Sequence, residues 1–191
     1  MTMKKGFTIV EMLMVIGILA VLMGIITTAA SQSVKAGRKS RTDALCTAVE
    51  AGLAAYYAQN DEWPDPLGAK IRRGLRSGSN NEGDGGYTDS DIYVLSATEV
   101  RAMVKALVDE AKAGNPLMDI SGLFVSRDPG EAGSKGLGLD FMSAIRGTKR
   151  SPNKMSTSSM YFGYPDADTG HFRRFKMTYS IPTDKLTVGR Q

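Results

Sequence analysis

Residues 4–12 read Lys4-Lys5-Gly6-Phe7-Thr8-Ile9-Val10-Glu11-Met12, and an apolar run from Leu13 to Ile26 follows directly. As a helix rising about 1.5 Å per residue, residues 7–28 would extend roughly 33 Å, close to the ~30 Å hydrocarbon core of a bilayer. Glu11 is the single charged residue in that segment. The pattern predicts a membrane-spanning helix that carries one carboxylate near its start.

A secretory signal peptide is the alternative interpretation of this stretch. Ala29-Ala30-Ser31 resembles the small-residue cleavage site that follows the apolar core of a signal peptide. Signal peptides have a shorter apolar core, however. The glycine before the run and the glutamate inside it also argue against a signal peptide. We therefore favour a segment that is retained in the mature protein.

The residues around Gly6 resemble the type IV prepilin family, whose members share a short basic leader that ends in glycine. Gly6, Phe7 and Glu11 correspond to the cleavage glycine, the first mature residue and the fifth-position glutamate of that family. The resemblance implies that a prepilin peptidase/methyltransferase removes residues 1–6 on the cytoplasmic side and N-methylates Phe7. Residues 7–28 would then remain as the inner-membrane anchor and later form the core of a filament.

Glu11 is the residue of the anchor with the sharpest implied role. A carboxylate within an apolar span is costly and usually marks a partner. The resemblance implies that this partner is the new α-amino group of Phe7 in a neighbouring subunit. The alternative is that Glu11, less than two turns from the helix end, extends to the lipid headgroups.

Small residues also recur along the anchor. Gly17, Ala20 and Gly24 are spaced by three and four, so they share one face of a helix. Such a face allows helix backbones to approach closely in lipid, where no hydrophobic effect drives helices together. It predicts a packing surface for copies of the chain, although an ordinary anchor can contain the same residues.

Charge and cysteine content limit the remaining function classes. The chain of 191 residues suits one anchor and one globular domain, and its net charge of +4 includes the two leader lysines, so the mature chain is too weakly basic to imply nucleic acid. Cys46 is the single cysteine, which excludes an internal disulfide. Basic residues flank the span on both sides, so the orientation, with the globular domain outside the cytoplasm, rests on the resemblance.

The helix is predicted to continue beyond the membrane through residues 29–60. This segment contains no proline, and its apolar residues recur at helical spacing until Pro64 and Pro66 prevent continuation. Residues 54–64 resemble the helix exit of the major pseudopilins of type II secretion, with Trp63 in place of the usual tyrosine. This second resemblance favours a pseudopilin over a surface pilin.

Residues 61–191 are predicted to form an α+β globular domain. A capping box at Ser96 and Glu99 predicts a helix at about 97–113, and Gly114 ends it. Residues 77–91 are interpreted as a loop, and residues 126–159 remain largely unassigned. Antiparallel strands are predicted within about 160–188, at 160–164, 172–181 and 186–188. The fold expected is a pilin-like ladle: a long helix packed at its end against a small antiparallel sheet, with an inserted helix and long loops.

Three classes of function remain. A filament subunit, most simply a type II secretion pseudopilin, would assemble with its own copies and with other pilins or pseudopilins on an inner-membrane platform. The alternatives are a type IV pilin or minor pilin acting in adhesion or DNA uptake, and a simple anchored binding protein. Basic residues among aromatics near Arg146 and Arg173 are the only sign of nucleic acid. No triad or metal-ligand spacing supports an enzyme, since His171 is the single histidine.

Calcium is the one candidate cofactor that the sequence suggests, and we expect no other. Major pseudopilins often hold a calcium ion in a C-terminal acidic loop, and the nearest candidate ligands here are Asp166 and Asp168. Calcium prefers several oxygen ligands, however, and two carboxylates are few. Aspartate and glycine are also the residues that any hairpin turn favours.

Overall fold

The computed structural model describes residues 8–75, 87–89, 91–127, 138–146 and 156–190. Within these residues, four α-helices and seven strands form an α+β arrangement, which confirms the predicted fold class. The helices are α1 (Ile9–Asn60), α2 (Leu67–Arg72), α3 (Ala97–Ala113) and α4 (Phe141–Arg146). The strands are β1 (Tyr87–Asp89), β2 (Ile92–Val94), β3 (Phe124–Ser126), β4 (Leu139–Asp140), β5 (Tyr161–Pro165), β6 (Phe172–Ser180) and β7 (Lys185–Arg190).

Helix α1 is continuous over 52 residues and ends where the sequence loses its helical pattern. Asp61 adopts a left-handed conformation with φ 55°, and its N–H donates to the carbonyl of Tyr57 at 2.7 Å. The chain then turns through Pro64 and Pro66 into the short helix α2. Sequence reasoning assigned no element to these residues and did not predict this helix.

The sheet is antiparallel in every described pair and is organised around β6. Its strand order is β1-β2-β6-β5-β3-β4, and β7 also pairs with β6. The hairpin of β1 and β2 corrects the interpretation of residues 77–91 as loop only. Each of its strands has three residues, which is too short for a period-two pattern to stand out from a polar segment.

One hydrophobic core joins α1, α3 and the sheet. Leu45, Val49 and Leu53 line the buried face of α1, and their exposed fractions do not exceed 8%. Strand β6 contributes alternate residues to the same core, and α3 contributes its apolar face. These residues are Phe175, Met177 and Tyr179 from β6, and Val100, Met103, Val104, Leu107 and Val108 from α3.

A backbone contact fixes α1 against the last strand. The carboxylate of Glu50 accepts a hydrogen bond from the backbone N–H of Val188, at 3.0 Å and 138 positions apart in the chain. This bond gives a backbone donor of β7 a partner that is not another strand. The second half of α1 therefore serves as both core and edge cover for the sheet.

A buried ion pair attaches α2 to the rest of the domain. The ammonium of Lys70 lies 2.9 Å from the Glu99 carboxylate and donates to the Tyr93 hydroxyl at 2.9 Å. The other carboxylate oxygen of Glu99 accepts from the Ser96 N–H, which forms the capping box predicted for α3. Burial raises the pKa of Tyr93 to about 12, so its hydroxyl remains a hydrogen-bond donor at neutral pH.

Asp184 connects three separate parts of the domain. Its carboxylate accepts hydrogen bonds from the Tyr57 hydroxyl at 2.9 Å, the Trp63 indole at 3.0 Å and the Tyr179 hydroxyl at 2.8 Å. Partial burial raises the pKa of Asp184, but these three bonds outweigh it and hold the pKa below its ordinary value. The end of α1, the following loop and β6 are thus held by one charged group.

We expect Asp184→Asn to lower the free energy of unfolding by about 1–2 kcal/mol at pH 7, because three bonds to a partly exposed anion become bonds to a neutral amide. Asparagine accepts the left-handed conformation of residue 184, whose φ is 49°, so backbone strain does not contribute. Because the pKa of Asp184 is lowered in the folded state, its contribution is complete above the unfolded pKa of about 4 and is lost as the pH falls below it.

Chemical denaturation of the full chain in detergent, from neutral pH to about pH 2, measures this difference. The two proteins should converge at the acidic end. Asp119→Asn is the matched control, since the Asp119 carboxylate also has a lowered pKa but, among the described residues, accepts only from nearby Ser121. Equal effects of the two substitutions would contradict the special role of Asp184.

Candidate assembly site

The first half of α1 is an apolar surface that no described residue covers. Large apolar side chains from Ile9 to Ile26 are exposed, with fractions of 80% for Ile9, 65% for Leu13 and 64% for Ile26. Among the described residues, α1 is the one helix that is long and apolar enough to cross a membrane. Length and composition alone are weak support for a span, so the surface by itself indicates only that another apolar phase or partner must cover it.

The N-terminal end of this surface has a specific hydrogen-bond arrangement. Thr8 is the N-cap of α1, and the Glu11 carboxylate accepts from both the backbone N–H and the hydroxyl of Thr8, each at 2.9 Å. The Thr8 hydroxyl oxygen in turn accepts from the Glu11 N–H at 3.3 Å. Glu11 therefore already has donors within its own chain, and these reduce the cost of placing a carboxylate in an apolar environment.

Sequence reasoning missed this capping box, although the spacing of Thr8 and Glu11 fits the S/T-x-x-E pattern that signals it. The predicted pairing of Glu11 with Phe7 of a neighbour concerns an amino group that exists only after cleavage. Gly6 and Phe7 lie outside the described residues, so both the processing site and the pairing stay predictions.

The predicted small-residue face on α1 is open. A Cβ added at Gly17 or Gly24 would meet no atom within 4 Å, and Ala20 between them is exposed. Gly52 farther along the same helix differs, because a Cβ there would lie 3.2 Å from both Leu107 and Met118. Gly52 thus permits packing inside the domain, whereas the role of Gly17, Ala20 and Gly24 in packing between subunits stays a prediction.

The turn between β5 and β6 brings Asp166 and Asp168 beside α1. One oxygen of Asp166 accepts from the N–H of Asp168 at 3.0 Å and from the N–H and hydroxyl of Thr169 at 2.8 and 2.9 Å. These bonds, led by that from the Thr169 N–H, lower the pKa of Asp166. Asp168 forms a salt bridge with Lys35 at 3.0 Å. Both candidate calcium ligands are therefore engaged by donors of the protein.

We expect neither EDTA nor added calcium to shift the thermal unfolding midpoint, because a bound ion would have to displace these donors. Differential scanning fluorimetry or calorimetry of the full chain in detergent measures the midpoint. Asp166→Asn should lower it equally with and without calcium. A midpoint that rises with calcium in the unmodified chain, and not in the Asp166 variant, would instead support the calcium site.

The two residues with the greatest potential for catalysis, Cys46 and His171, belong to different parts of the fold. Cys46 is buried on α1, and burial raises the pKa of its thiol to about 11, so the reactive thiolate is scarce at neutral pH. His171 lies directly after the β5–β6 turn and is half-buried. No group of three or more metal-ligating side chains occurs within the part of the chain that the structure describes.

Comparison with protein families identifies a motif in the N-terminal segment. Residues 1–27 match the model of the prokaryotic N-terminal methylation motif. The chain carries the N-terminal signature of type IV pilins and pseudopilins. Searches of curated proteins and of solved structures each found no match.

The signature suggests what covers the exposed apolar half of α1. It implies processing by a prepilin peptidase and pilus-like assembly of the chain with its own copies. Together with the apolar helix it indicates anchoring in a membrane. Proteins with this signature are typically structural and not enzymes. Pilins and pseudopilins share the motif, so it does not discriminate between them.

Proposed function

We propose that this protein is the structural subunit of a type IV pilus-like filament, and specifically a type II secretion pseudopilin. It is cut after Gly6, methylated at Phe7, held in the inner membrane by residues 7–28, and assembled through α1 on an inner-membrane platform. The observation that carries the proposal is the continuity of α1. One unbroken helix has an exposed apolar half within the methylation motif and a half that forms the core of the sheet.

A helix with one exposed apolar half and one half buried in the domain suits a subunit that moves from the membrane into a filament. In the membrane the exposed half of α1 contacts lipid, and in a filament it contacts the same half of other copies. The apolar side chains are covered in both states, so transfer requires no refolding of the globular domain. The domain is instead carried along, because α1 reaches its core without a break.

The preference for a secretion pseudopilin is supported by residues 54–64. Tyr57 and Trp63 stack with ring centroids 4.7 Å apart, and both donate to Asp184. The resemblance of this segment to the helix exit of major pseudopilins therefore falls on residues with a defined structural role. A type IV pilin or minor pilin is the second candidate, since it would carry the same motif.

The proposal is tested by the intact mass and N-terminal sequence of the protein recovered from its native membrane. We expect a chain that begins at N-methylated Phe7. A chain beginning near Ala30 or Ser31 would mean that the apolar segment is a signal peptide, and the filament function would be wrong. Deletion of the gene should then stop secretion of exported proteins and leave surface pili intact; the opposite result would identify a pilin.

A further inference from the structure

Basic side chains gather on α1 just beyond the apolar segment. We propose that Lys35, Arg38, Lys39 and Arg41, here named the basic collar, bind the phosphate groups of anionic phospholipids while the unassembled chain resides in the membrane. The inference rests on the membrane anchor in the proposed function and adds a lipid class to it. It concerns the state before assembly, when α1 is surrounded by lipid.

The collar begins just beyond the headgroup layer. Lys35 is nine residues beyond Ile26 on a continuous helix, which is about 14 Å along the axis. The headgroup layer on each side of a bilayer is about 5–8 Å thick. The Cα–Cβ bonds of a helix tilt toward its N-terminus, here toward the membrane, and long basic side chains extend to reach the interface. The ammonium of Lys35 can therefore reach the phosphates, and the next two turns lie roughly within a further Debye length of them.

The collar carries positive charge that salt bridges within the described part of the chain do not neutralise. All four residues are exposed. Lys35 pairs with Asp168, but Arg38, Lys39 and Arg41 form no salt bridge with any residue that the structure describes. The nearby acids are already paired within the chain: Asp43 with Arg190 at 3.0 Å, and Asp166 with Arg173 at 3.6 Å.

Processing strengthens the asymmetry of charge along the anchor. Cleavage after Gly6 would remove Lys4 and Lys5, so the mature chain would keep basic residues only on the collar side of the span. Basic residues near a span normally favour the cytoplasmic side, yet the proposed orientation places the collar outside the cytoplasm. Anionic phospholipids in the non-cytoplasmic leaflet would give these residues a favourable electrostatic contact after insertion.

The test uses the mature full-length chain in detergent micelles that contain equal amounts of phosphatidylglycerol and phosphatidylcholine. Native mass spectrometry counts the lipids of each class that the protein retains. The test variant carries Lys35→Gln, Arg38→Gln, Lys39→Gln and Arg41→Gln. The control variant carries the same number of glutamines at exposed basic positions outside α1, namely Arg73, Lys112, Lys176 and Lys185.

The unmodified chain and the control should both retain phosphatidylglycerol preferentially, and the preference should decline as salt is added. In the collar variant the ratio of retained phosphatidylglycerol to phosphatidylcholine should fall about tenfold. The reason is that three unpaired cations attract the anionic lipid even though salt partly screens them. Equal thermal midpoints would show that both variants are folded. Equal lipid preference in the two variants would overturn the inference and would favour an acidic surface of a neighbouring copy as the partner of the collar.

The readout separates this inference from the proposed function. A chain that retains phosphatidylglycerol through the collar but never forms a filament would contradict the proposed function alone. A chain that forms filaments and shows no collar-dependent lipid preference would contradict this inference alone.

Discussion

Glu11→Gln is expected to leave cleavage after Gly6 intact and to reduce the amount of filament at least about tenfold. The reason is that a neutral side chain cannot pair with the charged amino group of Phe7 in a neighbouring subunit, and a charge left unpaired in an apolar core costs a few kcal/mol. Glutamine can still accept from the Thr8 N–H, because the capping box tolerates Gln at the third helical position. The substitution therefore removes the charge and retains the cap.

Thr8→Ala is the matched control, because it removes the N-cap hydroxyl and keeps the carboxylate. Loss of a cap costs about 1 kcal/mol of helix stability and should affect filament yield only mildly. Filaments recovered by shearing or cross-linking, quantified against membrane-bound mature subunit, provide the measurement. If Thr8→Ala impaired assembly and Glu11→Gln did not, capping and not pairing would be the role of Glu11.

Gly6→Val is expected to abolish processing, so that the six-residue leader stays on the protein and no filament forms. The resemblance to prepilins places the cut peptide bond after Gly6, and a β-branched side chain crowds the backbone where a peptidase must approach it. Membrane insertion should persist, because the apolar segment is unchanged. Intact mass of the membrane fraction distinguishes the precursor from the mature chain.

Gly37→Val serves as the control for Gly6→Val, since Gly37 lies on α1 outside the motif and a Cβ there meets nothing within 4 Å. This control should be processed normally and lose only modest helix stability. Cleavage of the Gly6→Val chain at the same bond would show that the recognition assigned to Gly6 is wrong.

Features with a local cause could be predicted from the sequence. The end of α1 follows from the prolines after Asn60, and the start of α3 follows from the Ser96–Glu99 capping box, which the structure contains. The strand predicted at 172–181 is present as β6, and its alternate residues Phe175, Met177 and Tyr179 are buried. In each case the determining residues lie within a few positions of the feature.

Features with a non-local cause were missed. Trp63 and Asp184 are 121 positions apart, so no periodicity signals their hydrogen bond. The hairpin of β1 and β2 depends on pairing with the distant strand β6, since three-residue strands have little stability alone. The Thr8–Glu11 cap is an exception, because its cause is local: the S/T-x-x-E spacing of the two residues already indicates it.

The continuity of α1 also has a mechanical meaning. A helix of 52 residues is about 78 Å long, and its first proline comes only after it has ended. Such a helix acts as a stiff rod, with the sheet clamped to one end through Glu50 and the Leu45–Leu53 face. A force applied at the membrane end is transmitted along the axis to the domain with no intervening hinge. Each added copy would thus raise its globular domain by the full distance that its anchor travels.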